Sequence, residues 1–308
     1  MSAVLCVGEG LISLTPPTGI PLESATELVV STGGAEVNVA IHLARLDVPT
    51  RFAGKVGADP FGARLRHTLD NAGVDTRHLE EHPDLPTGLY VKDATGGTTT
   101  SRYYRQGSAA RTYRRVPNAA LVGVGHVHLT GITPALSDDC HALVRDLLGL
   151  EHVRTSFDVN YRRALWDVPE AAQVLRSLAS QADTVFVGLD EAGEVWGSET
   201  PEEVRRLLPQ PSELVVKDGS HEAVAFVGSQ VHRVPAPPVE VIEPVGAGDA
   251  FAAGYLAARH FDLDSDRALR WGHALAGTVL RVLADHALID RAILENQARE
   301  GALDDVES

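Results

Sequence analysis

From residue 126 onward the sequence alternates between short apolar strand-like runs and amphipathic helical runs, and that pattern leaves few folds open. Segments 126–129, 155–158, 184–187 and 214–217 read as strands. Between them, Asp138–Leu148, 170–180 and 201–208 carry helical periodicity. A strand that reaches its neighbour only through a helix must pair with it in parallel, and the helices then cover both faces of the sheet. The expected fold is a three-layer α/β/α sandwich around a mainly parallel sheet.

The first half adds a strand at Ala3–Val7 and a turn at Gly8-Glu9-Gly10. Short strands follow at 11–14 and 28–31. A helix at 35–46 places Val37, Ala40, Ile41 and Ala44 on one face; a strand at 51–53 and a helix at Pro60–Asn71 come next. Segments 88–92 and 98–104 flank Asp93-Ala94-Thr95-Gly96-Gly97 and read as a hairpin, as do 224–226 and 231–234. Helices at 247–259, 265–284 and 288–301 end the pattern. With no repeat or linker, one domain over 1–308 is expected, with a discontinuous β lid from about 11–32 and 87–107.

Charge narrows the function. Lys plus Arg number 27 against 42 Asp plus Glu, a net charge of −15 over 308 residues. Such a chain is a poor partner for nucleic acid or an anionic membrane, because phosphate affinity needs local positive charge. Only Lys55, Lys92 and Lys217 are lysines. The two cysteines, Cys6 and Cys140, form no CxxC pair, and neither a basic-plus-apolar leader nor a long apolar span is present. A cytoplasmic protein is expected.

The segment Gly246-Ala247-Gly248-Asp249 opens a helix of small residues. Free N–H groups at such a terminus bind anions. An Asp there would repel a phosphate at rest, but suits a base taking a proton from a hydroxyl beside the anion hole. The same residues also read as a Gly-rich turn with a favourable first-turn Asp. The lysine loop GxxxxGK[ST] is absent, as is GxGxxG after the first strand.

Gly246-Ala247-Gly248-Asp249 resembles a signature of the ribokinase-like (PfkB) sugar kinases. A second signature of that family is matched by Gly33-Gly34-Ala35-Glu36-Val37-Asn38-Val39-Ala40, continuing through Gly54-Lys55-Val56-Gly57-Ala58-Asp59-Pro60-Phe61-Gly62. The two lie far apart and in the family's order, and the resemblance spans essentially the whole chain. Within the family the sequence looks most like 2-keto-3-deoxygluconate kinases, through Gly88-Leu89-Tyr90, 103–109, 130–136 and Asp158-Val159-Asn160-Tyr161-Arg162.

That resemblance implies a set of roles. Asp249 is the catalytic base, with Gly246, Ala247 and Gly248 as the anion hole. Substrate contacts fall on Gly34, Asn38, Tyr90, Tyr103, Arg105, Arg162 and Asp285. Nucleotide contacts fall on Asn160, Lys217, Gly219 and His273, and Glu191 approaches Mg²⁺ through water. ATP and Mg²⁺ are the implied cofactors, with a monovalent cation as a third candidate. A small sugar acid and ATP are the expected partners, alongside self-association into a homo-oligomer. The chain also departs from the pattern. Glu243 stands where Asp is frequent, at a position tied to a monovalent-cation or loop site. Gly188 replaces the Asn of an Asn-x-x-Glu motif, Glu222 replaces a Gly, and His273 replaces an Asn.

The expected reaction is ATP-dependent phosphorylation of 2-keto-3-deoxygluconate at its primary hydroxyl. Arg105 and Arg162 supply charge-assisted bonds that a carboxylate needs and a neutral sugar does not. The alternatives are a fructokinase- or ribokinase-type enzyme for a neutral sugar, and a non-catalytic sugar- or nucleotide-binding protein of the same fold. His126-x-His128 reads as two partly buried strand histidines, not a metal site.

Overall fold

The computed structural model describes residues 2–17, 20–93 and 100–304. The expected hairpin tip at 94–97 lies outside the described residues. The elements run in order as β1 (Ala3–Val7), β2 (Leu11–Thr15), β3 (Val29–Gly33), α1 (Ala35–Arg45), β4 (Thr50–Gly57), α2 (Pro60–Asn71), β5 (Asp75–His82), β6 (Leu89–Asp93), β7 (Thr100–Tyr104) and α3 (Asn118–Leu121). They continue as β8 (Val124–Thr130), α4 (Asp138–Leu148), β9 (Arg154–Asp158), α5 (Val168–Ala179), β10 (Thr184–Gly188), α6 (Leu189–Trp196), α7 (Pro201–Leu207), β11 (Glu213–Asp218), β12 (Glu222–Val227), β13 (Gln230–Pro235), α8 (Ala247–His260), α9 (Ser265–Val279) and α10 (Arg291–Asp304).

Nine strands form the large sheet in the order β13-β12-β11-β10-β9-β8-β1-β4-β5. Every pairing is parallel except β11 with β12 and β12 with β13, which are antiparallel. From β1 the chain builds outward to β4 and β5 on one side and later to β8 and beyond on the other. The junction of β1 and β8 is therefore a topological switch point, where such sheets leave a crevice at the carboxyl ends of the strands. Two apolar cores flank the sheet. One joins α1, α2, α8 and α9 through Val37, Ile41, Phe52, Phe186, Phe251 and Trp271. The other lies under α4 to α7 through Leu5, Val127, Phe157, Leu175 and Val185. Both faces of the sheet are covered, so β1 and β10 are buried along their whole length.

A second sheet runs β3-β2-β6-β7. β2 pairs antiparallel with β3, β6 antiparallel with β7, and β2 joins β6 in parallel, Ile12 opposite Leu89 and Leu14 opposite Val91. The sequence shows the two hairpins but not the parallel seam between them.

Several elements depart from the sequence reading, among them α3 and α10, which begins at Arg291 and not at 288. β4 runs through Gly57, well beyond the expected 51–53. β5, sequence DTRHLEEH, was not expected as a strand because its charges hide the alternation. It is an edge strand, paired only with β4, so its polar side chains meet water while Thr76 and Leu79 point inward. α6 was also missed. Glu191 accepts the Gly188 N–H at 3.0 Å and closes its start, while left-handed Gly197 ends it. α9 stops at Val279, short of 284, because the Leu280 carbonyl accepts the N–H groups of Ile242 and Glu243 at 2.8 and 3.2 Å.

Candidate active site

Glu9 follows β1, Asn160 follows β9, Glu191 follows β10, and Lys217 lies at the end of β11. All four therefore face the crevice above the large sheet. Two other elements complete it. α1 brings Asn38 on its first turns, and α8 brings Asp249.

The entry to each helix depends on a glycine. Gly34 precedes α1 at φ 122°, and a Cβ there would lie 2.4 Å from the Glu9 carbonyl oxygen. Gly246 precedes α8 at φ 87°, against the backbone of Asp285; a Cβ would lie 2.3 Å from that carbonyl oxygen. This tight approach turns the α8 N-terminus into the crevice. The Ala247 N–H is partly occupied by the Pro244 carbonyl at 3.3 Å.

Asp249 is 8% exposed. Asn38 Nδ2 donates to its Oδ2 at 2.8 Å and Asn160 Nδ2 donates to its Oδ1 at 3.1 Å. Two amides from different elements thus fix the carboxylate plane. Asn160 does this from a left-handed backbone (φ 42°), which Asn tolerates better than most residues. Burial pushes Asp249 up to about 7; the Asn38 hydrogen bond opposes this, Asp158 adds to it, and Arg162 and Lys217 oppose it. The result is a carboxyl group poised near neutrality, as a proton acceptor needs.

Lys217 Nζ lies 2.9 Å from Asp158 Oδ2. Burial alone would depress this ammonium, but Asp158 and Glu191 outweigh burial and hold it above its ordinary value. A Cβ on Gly248 would sit 3.5 Å from Lys217 Nζ, so the cation lies beside the helix N-terminus. Burial also raises Glu191, to about 7, against the pull of Lys217.

Two cavities meet at this terminus. The first, about 460 Å³, is lined by Gly34, Asn38, Tyr90, Tyr103, Arg105, Arg162, Asp285, Gly246, Gly248 and Asp249. Every residue expected to touch the substrate lines this one space. The second, about 700 Å³, is lined by Glu191, Lys217, Gly219, Ala247, Gly248 and His273. Lys217, Glu191 and Gly248 border both. Asn160 departs from its expected place: it lines the first cavity, not the second, because its amide is committed to Asp249. His273 is held by the Val234 carbonyl at 3.1 Å and meets Phe251 edge-on.

The second sheet roofs the first cavity. Tyr90 donates to Asp285 Oδ2, and its ring stacks on Tyr103 at 5.3 Å between centroids. The Arg105 guanidinium lies 5.2 Å from the Tyr103 ring centre.

Both arginines expected to meet the substrate also have carboxylate partners within the protein. Arg105 Nε lies 3.1 Å from Glu9 Oε2, and Arg162 Nη1 lies 3.5 Å from Glu191 Oε1. A chain with an excess of carboxylates places one beside each. Burial raises Glu9, with Arg105 and Ser108 opposing. Even so, Arg105 Nη2 is buried without a hydrogen-bond partner, and the residue lines the first cavity.

Glu9, Lys92 and Asp158 escaped the sequence assignment. A charge between two glycines after a fully apolar strand was the available signal for Glu9. For Asp158 it was a carboxylate at the end of an apolar strand. His126 and His128 share the Ser156 hydroxyl at 2.8 and 2.9 Å within the sheet.

A helix N-terminus between two cavities, with a near-neutral carboxyl on one side and a cation beside it, is the apparatus of a phosphoryl-transfer enzyme. The chain belongs to the pfkB family of carbohydrate kinases, whose profile matches residues 1–287. Among curated relatives, it is 32% identical to the 2-dehydro-3-deoxygluconokinase of Thermoproteus tenax, covering 93% of this chain and 90% of that protein. It is 33% identical to the 2-dehydro-3-deoxygluconokinase of Bacillus subtilis, covering 82% and 81%. The crystal structure of a PfkB protein from Polaromonas sp. JS666 superposes with a TM-score of 0.87 at 31% identity, covering 96% of this chain and 99% of that one. No helix among the described residues is long and apolar enough to cross a membrane.

Proposed function

We propose that the protein transfers the γ-phosphoryl group of ATP to the primary hydroxyl of 2-keto-3-deoxygluconate, giving its 6-phosphate. The observation that carries the sugar-acid reading is Arg105: an 8% exposed guanidinium lining the first cavity, with Nη2 still lacking a partner. A buried unpaired donor is costly, and a carboxylate or keto oxygen relieves that cost with a charge-assisted bond. The relatives named 2-dehydro-3-deoxygluconokinase support the same choice.

In this reading the acceptor occupies the first cavity and the nucleotide the second. One carboxylate oxygen of Asp249, oriented by Asn160 and Asn38, receives the hydroxyl proton as the new P–O bond forms and the bond from the γ-phosphorus to the ADP leaving group breaks. N–H groups at the start of α8, with Lys217 beside Gly248, stabilise charge on the transferring group. The small sheet acts as a lid within a single domain. Tyr90 and Tyr103 cover the sugar and exclude water from the phosphoryl group. Exposed Val29 and Tyr104 on that sheet fit self-association into a homo-oligomer.

The residues fit a hydrated Mg²⁺. Asp158 Oδ1 is buried with no hydrogen-bond partner, and Glu191 is close enough to raise repulsion with it. One or two carboxylates plus phosphate oxygens and waters suit this ion. When bound, it neutralises charge on the phosphates.

A coupled assay of ADP release over sugar acids, fructose and ribose tests the proposal. The expected result is a kcat/KM for 2-keto-3-deoxygluconate at least ~10²-fold above that for fructose, the worth of one charge-assisted contact. Equal efficiency with fructose or ribose moves the assignment to a neutral sugar.

A further inference from the structure

Lys92 is 1% exposed, a rare place for a lysine. It lies on β6 two residues from Tyr90, so both side chains leave the strand on the same face. Its Nζ lies 2.8 Å from Asp285 Oδ1, 3.7 Å from Glu243 Oε2, and donates to the Leu283 carbonyl at 3.1 Å. Both carboxylates belong to the frame of the anion-hole turn. Glu243 Oε1 accepts the Val245 N–H at 3.1 Å, one residue before Gly246. The Asp285 backbone is the surface on which Gly246 rests, and its other carboxylate oxygen accepts from Tyr90. Without Lys92, two buried carboxylates beside the phosphoryl-binding turn would lose the cation that lies between them, a costly arrangement.

We infer that Lys92 is the resident cation of this carboxylate pair: it holds the anion-hole turn in shape, ties the small sheet to it, and makes catalysis independent of an added monovalent cation. A tethered ammonium and a free potassium ion offer the same unit charge to the same oxygens, but the tether adds a mechanical link. Movement of β6 then moves Asp285 and Glu243 together, so closure over the sugar and shaping of the turn become one event. Lys92 touches neither the sugar cavity nor the phosphate and is a positioning residue.

The inference rests on the kinase reading for its activity arm only. Wild type, Lys92→Met, Lys92→Arg and the double variant Lys92→Met/Glu243→Gln are compared in potassium, ammonium and choline chloride at equal ionic strength. Wild-type kcat is expected to be the same in potassium and in choline. Lys92→Met should lose ~10²-fold in kcat in choline, since an uncompensated buried charge remains, while its KM for ATP moves little. Potassium or ammonium should restore ~10-fold of that loss by binding in the vacated space. Lys92→Arg should retain most activity. The double variant, with one carboxylate neutralised, should recover stability without added cation. Melting temperature provides a readout free of any substrate: potassium should raise it, relative to choline, for Lys92→Met and not for wild type. A wild-type enzyme that needs potassium, or a Lys92→Met protein indifferent to cations in both melting and activity, overturns the inference. If Lys92→Met does not fold, folding of the double variant sustains the inference, and its failure to fold overturns it. If wild type phosphorylates no carbohydrate at all, the kinase reading fails, and the melting arm still decides the role of Lys92.

Discussion

The large and small sheets both use strand alternation, yet they place chemistry in different parts of the strand. In the large sheet β1 and β10 are buried at every residue, because helices cover both faces. The polar groups that reach the crevice sit where its strands end: Glu9, Asp158, Asn160 and Lys217. In the small sheet β6 alternates, and its inward residues Tyr90 and Lys92 are themselves functional candidates. Its neighbour β7 is mostly exposed. A strand buried on both sides cannot afford a mid-strand charge, whereas a sheet that folds over a cavity has one face that meets ligand. Losses at the ends of the large sheet should therefore remove chemistry, and losses in the small sheet should remove orientation and closure.

The largest effect belongs to Asp249. Asp249→Asn should lower kcat by ~10²–10⁴-fold, the usual worth of a positioned base, with ATP binding retained by calorimetry. A kcat within a few-fold of wild type removes Asp249 from the role of base. Arg105→Ala comes next and tests the small-sheet side. It should lower kcat/KM for the sugar acid by ~10²-fold and leave the KM for ATP little changed. Because Glu9 then loses its partner, part of any loss is structural, and Arg105→Ala/Glu9→Gln separates the two. A double variant that recovers sugar-acid turnover without Arg105 shows that the guanidinium serves Glu9 rather than the substrate.

The pH profile sharpens the comparison further. A carboxyl group raised to about 7 is ionised, and able to accept a proton, only above that pH. Activity as kcat/KM should therefore level off above about 7 and fall ~10-fold per unit below it. Glu191 is raised to about 7 as well, so Glu191→Gln should keep the inflection if Asp249 sets it. A flat profile between mildly acidic and mildly alkaline pH breaks the assignment. The smallest effect is dynamic. Amide hydrogen exchange in 87–93 and 100–107 should slow ~10-fold when the acceptor binds, while β1 and β10 remain unchanged. Equal protection with and without sugar shows the small sheet to be fixed.

Much of this molecule was legible in one dimension. The βα alternation after residue 126 states a parallel sheet because its period changes between strand and helix within short distances. Pro60–Asn71 and Asp138–Leu148 were read to the residue, since Asp59 and Ser137 cap their first turns. Gly246-Ala247-Gly248-Asp249 reads as an anion site with a base because its glycines stand beside a chemistry-bearing side chain, whereas Gly33–Ala40 joins the candidate site through the family resemblance. β5 and α6 were not legible. One is an edge strand whose charges are tolerated by water, and the other is closed by Glu191, a side chain first read for its role toward metal.

By itself, the sequence determined the class of fold, because burial periodicity is a local property, and it offered candidate site residues through the glycine-opened start of α8 and the family resemblance. Tertiary structure alone decided how charges are partnered. Arg105 meets Glu9, Lys217 meets Asp158, Lys92 meets Asp285 and Glu243, and Asn38 and Asn160 converge on Asp249. Each of these contacts joins residues remote in the chain, and each sets how a buried charge behaves. Coulomb energy and desolvation depend on distance in space and on exclusion of water, and neither quantity is written in the order of residues along the chain.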